Sequence, residues 1–461
     1  MGGTWSGDAA SAPCIAWSTC PPGTYVEATP SAEEDRRCAP CSTGSYCPGD
    51  TGAPRSCAEG TWDHDASPST ACAPWSTCRA GAYVAREGTA TTDRGCDLCP
   101  GGQTSTGENA ASCVVPAVAL DLGEEHTCAR HHDGTARCWG WNRFGALGDG
   151  TDDDRLTPTP VPGLQDTTQV VTGWFHTCAL RTDGSVRCWG SNEFGQLGDS
   201  TTLDRHAPTV VPALHRVVEL AAGAFHTCAR LDDGGVQCWG WNDFGELGDG
   251  TTIERHQPTT VVNLPPADQL VSSGYHTCTH HAEGAVRCWG SNSTGQVGDG
   301  TSTDRATPTL VTDLSGVASI VAGGAHTCAL LANASVKCWG LNAAGALGDG
   351  TTTDRHVPTI VPGLLAAEVT AGGHHTCARH VSGAVSCWGF NGYGELGDGT
   401  TTDRHAPSLV PALSRAAKVV AGTYHTCALD TDHAVLCWGA NRNGQVGDGT
   451  RLDRLIPTRA H

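Results

Sequence analysis

The sequence predicts an all-β protein: a seven-bladed β-propeller preceded by two small disulfide-rich modules. Three observations carry that prediction. A phrase opening on His-Thr-Cys returns at 126, 176, 226, 276, 326, 375 and 425, a period of 50 shortened once by one residue. A period in this range marks a propeller, a solenoid or an array. Each copy holds two cysteines ten positions apart, in stretches such as "TCALRTDGSVRCWG", and the 60 glycines point to turns rather than helices.

Four short strands are legible within one copy. Runs such as "RVVELAAG" and "AKVVAG" end in small residues and suit crowded inner strands. The Thr-Asp-Gly turn, flanked by apolar and β-favouring residues, reads as a hairpin. The phrases "PTVV", "PTLV" and "PTIV" read as outer strands, because proline is tolerated at a sheet edge. Helical periodicity is absent from 115–461, and seven such units describe a seven-bladed propeller.

The paired cysteines are Cys128 and Cys138, Cys178 and Cys188, Cys228 and Cys238, Cys278 and Cys288, Cys328 and Cys338, Cys377 and Cys387, and Cys427 and Cys437. The turn lies midway between them, so the two face one another across adjacent strands. Directly opposed residues at a non-hydrogen-bonded site sit about 4.5 Å apart at Cα, near the lower limit for a disulfide. Buried free thiols and metal ligands are the competing readings. Zinc asks for four converging ligands in closely spaced pairs, which this hairpin spacing does not supply. A disulfide in each hairpin is the better reading, and no metal or cofactor is expected.

The N-terminal region has its own period. "CIAWSTCPPGTYV" at 14 recurs as "CAPWSTCRAGAYV" at 72. So few core hydrophobes in so short a unit need disulfides to fold. The expected division is an N-terminal segment 1–13, module 1 at 14–71, module 2 at 72–113 and the propeller at 114–461. The region holds 11 cysteines, an odd number, and Ser105 stands in the register of Cys47. Cys47 is therefore the expected free thiol or intermolecular bridge. Connectivity within the modules does not follow from spacing.

With 25 cysteines the chain suits an oxidising compartment, and an extracellular or cell-surface location is expected. The opening "MGGTWSGDAASAPC" shows no basic n-region or apolar h-region, so no signal peptide is read; a mature or trimmed sequence, or a misplaced start, is the plainest account. No apolar run approaches the roughly 20 residues of a membrane helix, so no membrane insertion is expected. The formal net charge is -20, and the basic stripe that nucleic acid requires is missing. Nucleic acid is not an expected partner.

The stretch "AGAFHTCARLDDGGVQCWGWNDFGELGDGTT" resembles a repeat of the regulator of chromosome condensation family, in its bacterial, cysteine-bearing form. The resemblance covers 115–461 and implies a seven-bladed propeller. The family's best-known activity, nucleotide exchange on a small nuclear GTPase, is tied to surface features and a basic tail that this acidic chain lacks. The C-x-x-G-T-Y and D-x-x-C-x-x-C elements of the N-terminal region resemble the cysteine-rich modules of tumour necrosis factor receptor ectodomains.

Repeated columns read first as architecture. Each His of the His-Thr-Cys phrase is expected to bond a neighbouring blade's backbone. Each Trp of the Cys-Trp-Gly phrase is expected to pack between blades. "LGDGTTTDR" and its relatives read as a turn closed by an Asp–Arg pair rather than as a calcium loop. No hydrolase, zincin, Walker or dinucleotide motif stands in credible context, so no enzyme is expected.

The residues that vary between copies carry the functional reading. Twelve further aromatics fall in three drifting columns: Trp174, Phe175, Phe225, Tyr275 and Tyr424 before the His; Trp141, Trp241 and Phe390 after Cys-Trp-Gly; and Phe144, Phe194, Phe244 and Tyr393 beyond the fixed Asn. A core requirement would fill one column in every blade, whereas these hold small or polar residues elsewhere. Uneven aromatics at loop positions suit a recognition surface; filling gaps under loops is the competing account. The expected function is a secreted or cell-surface binding protein whose propeller face engages a protein or a glycan. A structural envelope or matrix scaffold is the alternative. An exchange-factor-like protein or a secreted enzyme stands behind both.

Overall fold

Alternation of apolar and polar residues in runs of about six, broken by Gly and Asp, yields strands joined by tight turns. The structure is a computed structural model and describes residues 4–5, 15–31, 34–49, 53–79, 81–100, 103–105, 108–212, 214–411 and 413–461. It falls into two compact units, 1–115 and 116–461.

Unit 116–461 holds seven four-stranded antiparallel sheets, each with its strands in chain order. Blade 1 comprises Ala117–Leu122, His126–His131, Ala136–Gly140 and Arg155–Pro160, and blade 7 ends with Arg454–Arg459. The inner strands surround an axial channel lined by Val171, Ala221, Val271, Val321 and Val420 among others. Every blade is one continuous segment. The ring therefore closes by side-chain and loop contacts between blades 7 and 1, without a strand borrowed from the other end of the chain. Among the described residues, no helix is long and apolar enough to cross a membrane.

The hairpin cysteines are in register, Cys128 opposite Cys138 and so on around the ring. All seven pairs are bridged, with Cα atoms 4.1 to 4.2 Å apart. Each bridge sits in a cluster with the Trp of the next blade: Trp189 packs in the cluster of Cys128 and Cys138, and Trp139 in that of Cys427 and Cys437. The indole stands so close to the loop of the preceding blade that only glycine fits there. A Cβ on Gly148, at φ +69, would lie 2.6 Å from Trp189 Nε1.

The histidine column departs from expectation in its partner. Each Nε2 meets the Thr hydroxyl of the next blade at 2.7 to 2.9 Å, from His126 with Thr177 round to His425 with Thr127. That hydroxyl donates to a backbone carbonyl of the preceding blade at 2.8 to 3.2 Å, so the imidazole must donate from Nε2. The Trp Nε1 donates to the same carbonyl at 2.7 to 3.0 Å. Threonine, not backbone, is the histidine's partner because its hydroxyl alone can accept from one blade while donating to another.

In unit 1–115 two short ladders, Thr24–Ala28 with Arg37–Pro40 and Ala82–Arg86 with Gly95–Leu98, recur at the 58-residue spacing. Asp35 accepts from Ser18, and Asp93 from Ser76, at matching places. The disulfides are Cys20–Cys38, Cys41–Cys47, Cys57–Cys72, Cys78–Cys96 and Cys99–Cys113. Cys47 is thus not a free thiol. The odd count misled because pairing is not confined within each repeat: Cys57 reaches forward to Cys72, leaving Cys41 to Cys47. In the second repeat Cys99 takes Cys113, and buried Ser105 accepts the Gly81 amide at 2.9 Å instead. Cys14, in the register of Cys72, lies outside the described residues.

Candidate functional site

Antiparallel strands in chain order place the loop between strands one and two, and that between three and four, at the same end of a blade. All twelve drifting aromatics lie in those loops, so all stand on one face of the propeller. The hairpins and the connections between blades form the other face.

The loops are held rigidly. Asn142 Oδ1 accepts the Leu147 amide at 2.9 Å while its Nδ2 donates to Asp149 and to the Thr151 carbonyl. Asp149 in turn pairs with Arg155, and the same Asp–Arg pair closes the loop in all seven blades at 2.5 to 2.7 Å. Each aromatic therefore projects from a loop with a fixed backbone.

Nine of the twelve rings form one contiguous arc over blades 1 to 4. Trp141 contacts Phe144 and Phe175 at centroid distances of 5.2 and 5.0 Å. Phe175 lies 6.1 Å from Phe225, which meets Phe194 at 5.4 Å. Phe194 stands edge-on to Trp241 at 4.4 Å. Trp174 meets Phe225 and Tyr275 at 5.3 and 5.4 Å, and Phe244 lies 6.0 Å from Tyr275. The other three form a second group, Phe390 with Tyr393 at 6.1 Å and Tyr393 with Tyr424 at 5.8 Å. Blade 5 separates the groups on one side, with Ala325, Leu341 and Ala344 at the corresponding places, and the junction of blades 7 and 1 separates them on the other, with Ala440, Asn443 and Glu125 in those columns. None of the twelve is buried; Phe144 and Phe244 are 36% and 39% exposed. The pairs are edge-on except Trp141–Phe175 and Phe175–Phe225, which are tilted at 57° and 43°, and edge-on pairs add about 0.5–1.5 kcal/mol each beyond area burial.

Several neighbours escaped sequence reasoning. Glu246 and Glu395 are wholly buried beneath the loops. One carboxyl oxygen of each accepts a backbone amide, of Phe244 and Tyr393, and the other has no partner among the described residues. Burial pushes Glu246 up to about 8 and Glu395 up to about 7. Burial likewise pushes Glu124 up to about 7, with Glu125 adding to the shift. Burial raises the Tyr275 phenol, and the charges of Glu124 and Glu246 act the same way. Arg442 lies over the Tyr393 ring at 5.3 Å. The available signal was the column Ala146, Gln196, Glu246, Gln296, Ala346, Glu395, Gln445, where two blades carry an acid in place of an amide.

The profile of the RCC1-like domain matches residues 95–421, more than half of the chain. The chain belongs to the RCC1-like domain family. An RCC1 repeat matches 416–445, and the TNFR/NGFR cysteine-rich region matches 57–96. Among curated relatives, this RCC1-like chain is 43% identical over 53 residues to the secretion-regulating guanine nucleotide exchange factor of Bos taurus, covering 12% of this chain and 11% of the relative. The Mus musculus protein of that name is 43% identical over 54 residues, covering 11% of each. The match thus spans only about a tenth of those relatives.

Solved structures share the fold. The structure of Prp20p from Saccharomyces cerevisiae, described with its binding properties to Gsp1p and histones, superposes with a TM-score of 0.64 at 23% identity, covering 75% of this chain and 87% of that one. Human WBSCR16 gives 0.63 at 23% identity, covering 70% and 89%. At that identity the likeness is one of fold.

Proposed function

We propose that this RCC1-like chain is a binding protein of an oxidising, extracellular setting, not a catalyst, and that its aromatic-bearing propeller face engages a protein partner. The observation that carries the reading is the contiguous arc of nine partly exposed rings across four blades. Large aromatics dominate interface hot spots because they bury much area at little conformational cost, and an arc of this extent exceeds what loop filling needs. The twelve disulfides among the described residues and the TNFR-like region support the compartment.

The test is co-precipitation from the secreted and surface fractions of the source cells, comparing the wild-type chain with Trp174→Ala/Phe225→Ala. A partner retained by the wild type and lost from a variant of unchanged Tm is the expected result. Equal retention by both refutes the reading. Guanine nucleotide exchange, suggested by the short match to the Bos taurus protein, is the second reading. It is checked by nucleotide release from GTPases co-precipitated in the same assay.

A further inference from the structure

The partner of this face can be defined further by charge. This inference rests on the binding role proposed above and adds the chemistry of the partner. The loops of the aromatic face, counted with the Arg that opens each fourth strand, hold 22 acidic and 10 basic side chains. The rest of 116–461 holds 13 acidic and 12 basic. Without Glu246, Glu395 and Glu124, which burial pushes toward the neutral form, the face keeps 19 acidic side chains against 10 basic, so most of the propeller's net charge is on the face that carries the rings. Seven of the ten basic groups are the Arg residues already committed to the loop-closing Asp. Of the other three, Arg451 is paired with Asp154, Arg442 covers Tyr393, and Arg143 is exposed in the loop of Trp141 and Phe144 without lying over a ring.

A face both acidic and aromatic is selective for cations. Carboxylates attract an ammonium or guanidinium group through the solvent, and the π-faces of Trp, Tyr and Phe then take it at about 0.5–2 kcal/mol per contact. One ring of this face already does so within the chain, Tyr393 beneath Arg442. In the nine-ring arc, no cation of the described residues lies over any ring. Uncommitted acids stand beside that arc, with Glu193 in blade 2 and Asp243 in blade 3 both exposed. Duplex or single-stranded nucleic acid is repelled by the same charge.

We infer that the aromatic face docks a cationic protein surface, whose lysine and arginine side chains stack on the arc of Trp141, Trp174, Phe225, Trp241 and Tyr275 while the surrounding carboxylates neutralise them. Residues of blades 1 to 4 make the contact, and blade 5 bounds it.

The probe is the capped peptide (Gly-Arg)6, with (Gly-Ser)6 and (Gly-Glu)6 as controls, titrated against the full chain by calorimetry and tryptophan fluorescence at 50 and 300 mM salt. Three variants are compared. Trp174→Ala/Tyr275→Ala removes rings, Glu193→Gln/Asp243→Asn removes charge from the aromatic face, and Asp166→Asn/Asp313→Asn removes equal charge from the opposite face. The last two positions are exposed and have φ of 59° and 55°, a conformation that Asn accepts. The expected result is saturable binding of (Gly-Arg)6 alone, weakened about tenfold by the first two variants and unchanged by the third. Absence of binding, or equal weakening by the two charge variants, overturns the inference. If partner retention depends on the rings but (Gly-Arg)6 binding does not, the cationic class fails while the binding face stands. If retention is indifferent to the rings, the face itself fails.

Discussion

At the residue scale the histidine ring decides how the molecule responds to acid. Burial holds the seven imidazoles far down, at about 3 to about 4. In six of them Nδ1 has no partner among the described residues that could receive a second proton. A folded-state value below the free value near 6.5 means that the unfolded chain binds protons the folded chain refuses. The stabilising contribution is whole above about pH 6.5 and is lost as pH falls toward the folded values. With seven rings acting together, Tm should fall steeply between pH 6.5 and 5 in a calorimetric series. A flat profile would contradict the neutral ring. Glu246 carries the opposite sign: raised to about 8, its contribution is present below its free value and lost as pH rises through 8. Glu246→Gln should therefore gain Tm relative to wild type at pH 9 and show no gain at pH 5. None of this was legible beforehand. The repeat marked the His column, but its tautomer and burial depend on a neighbouring blade, and the buried Glu residues were not singled out.

At the element scale the unit is the bridged hairpin. A disulfide closing so short a loop contributes roughly 3 kcal/mol on the chain-entropy model, and each bridge also forms the floor on which the next blade's Trp packs. Cys228→Ala/Cys238→Ala should leave the propeller folded but lower its Tm. Native-state hydrogen exchange should show faster opening of 226–240 and of the loop beneath Trp289 than of blades 5 and 6. Uniform acceleration around the ring would mean that blades do not open separately. The hairpins were readable, because a short turn midway between two cysteines ten positions apart, such as Thr182-Asp183-Gly184, sets the register. The connectivity of the N-terminal region was not, since the Cys57–Cys72 bridge joins two repeats that spacing treats as separate units.

At the scale of the whole molecule, closure is ordinary. The junction of blades 7 and 1 uses the same side-chain contacts as the other six, His425 with Thr127 and Trp139 with the Gln445 carbonyl, and adds Thr423 N–H to Gly123 O. Thr127→Val should thus cost no more stability in denaturant unfolding than Thr327→Val does. A much larger loss at 127 would show that the ends of the ring are its weak point. The rim adds one contact peculiar to this junction, Arg451 with Asp154 at 3.1 Å.

The sequence by itself determined the number of blades, the strands within each, the paired cysteines and the three aromatic columns, because those follow from local periodicity and turn chemistry. It also allowed the columns to be singled out as uneven. Only the tertiary structure decided that the columns converge into one arc of nine rings on one face, that most of the propeller's net charge shares that face, and that Cys47 is paired. Each of these depends on which loops leave a blade at the same end and which segments meet across repeats. Residues that touch across about 50 or 300 positions of chain leave no periodic trace between them; the ring brings them together.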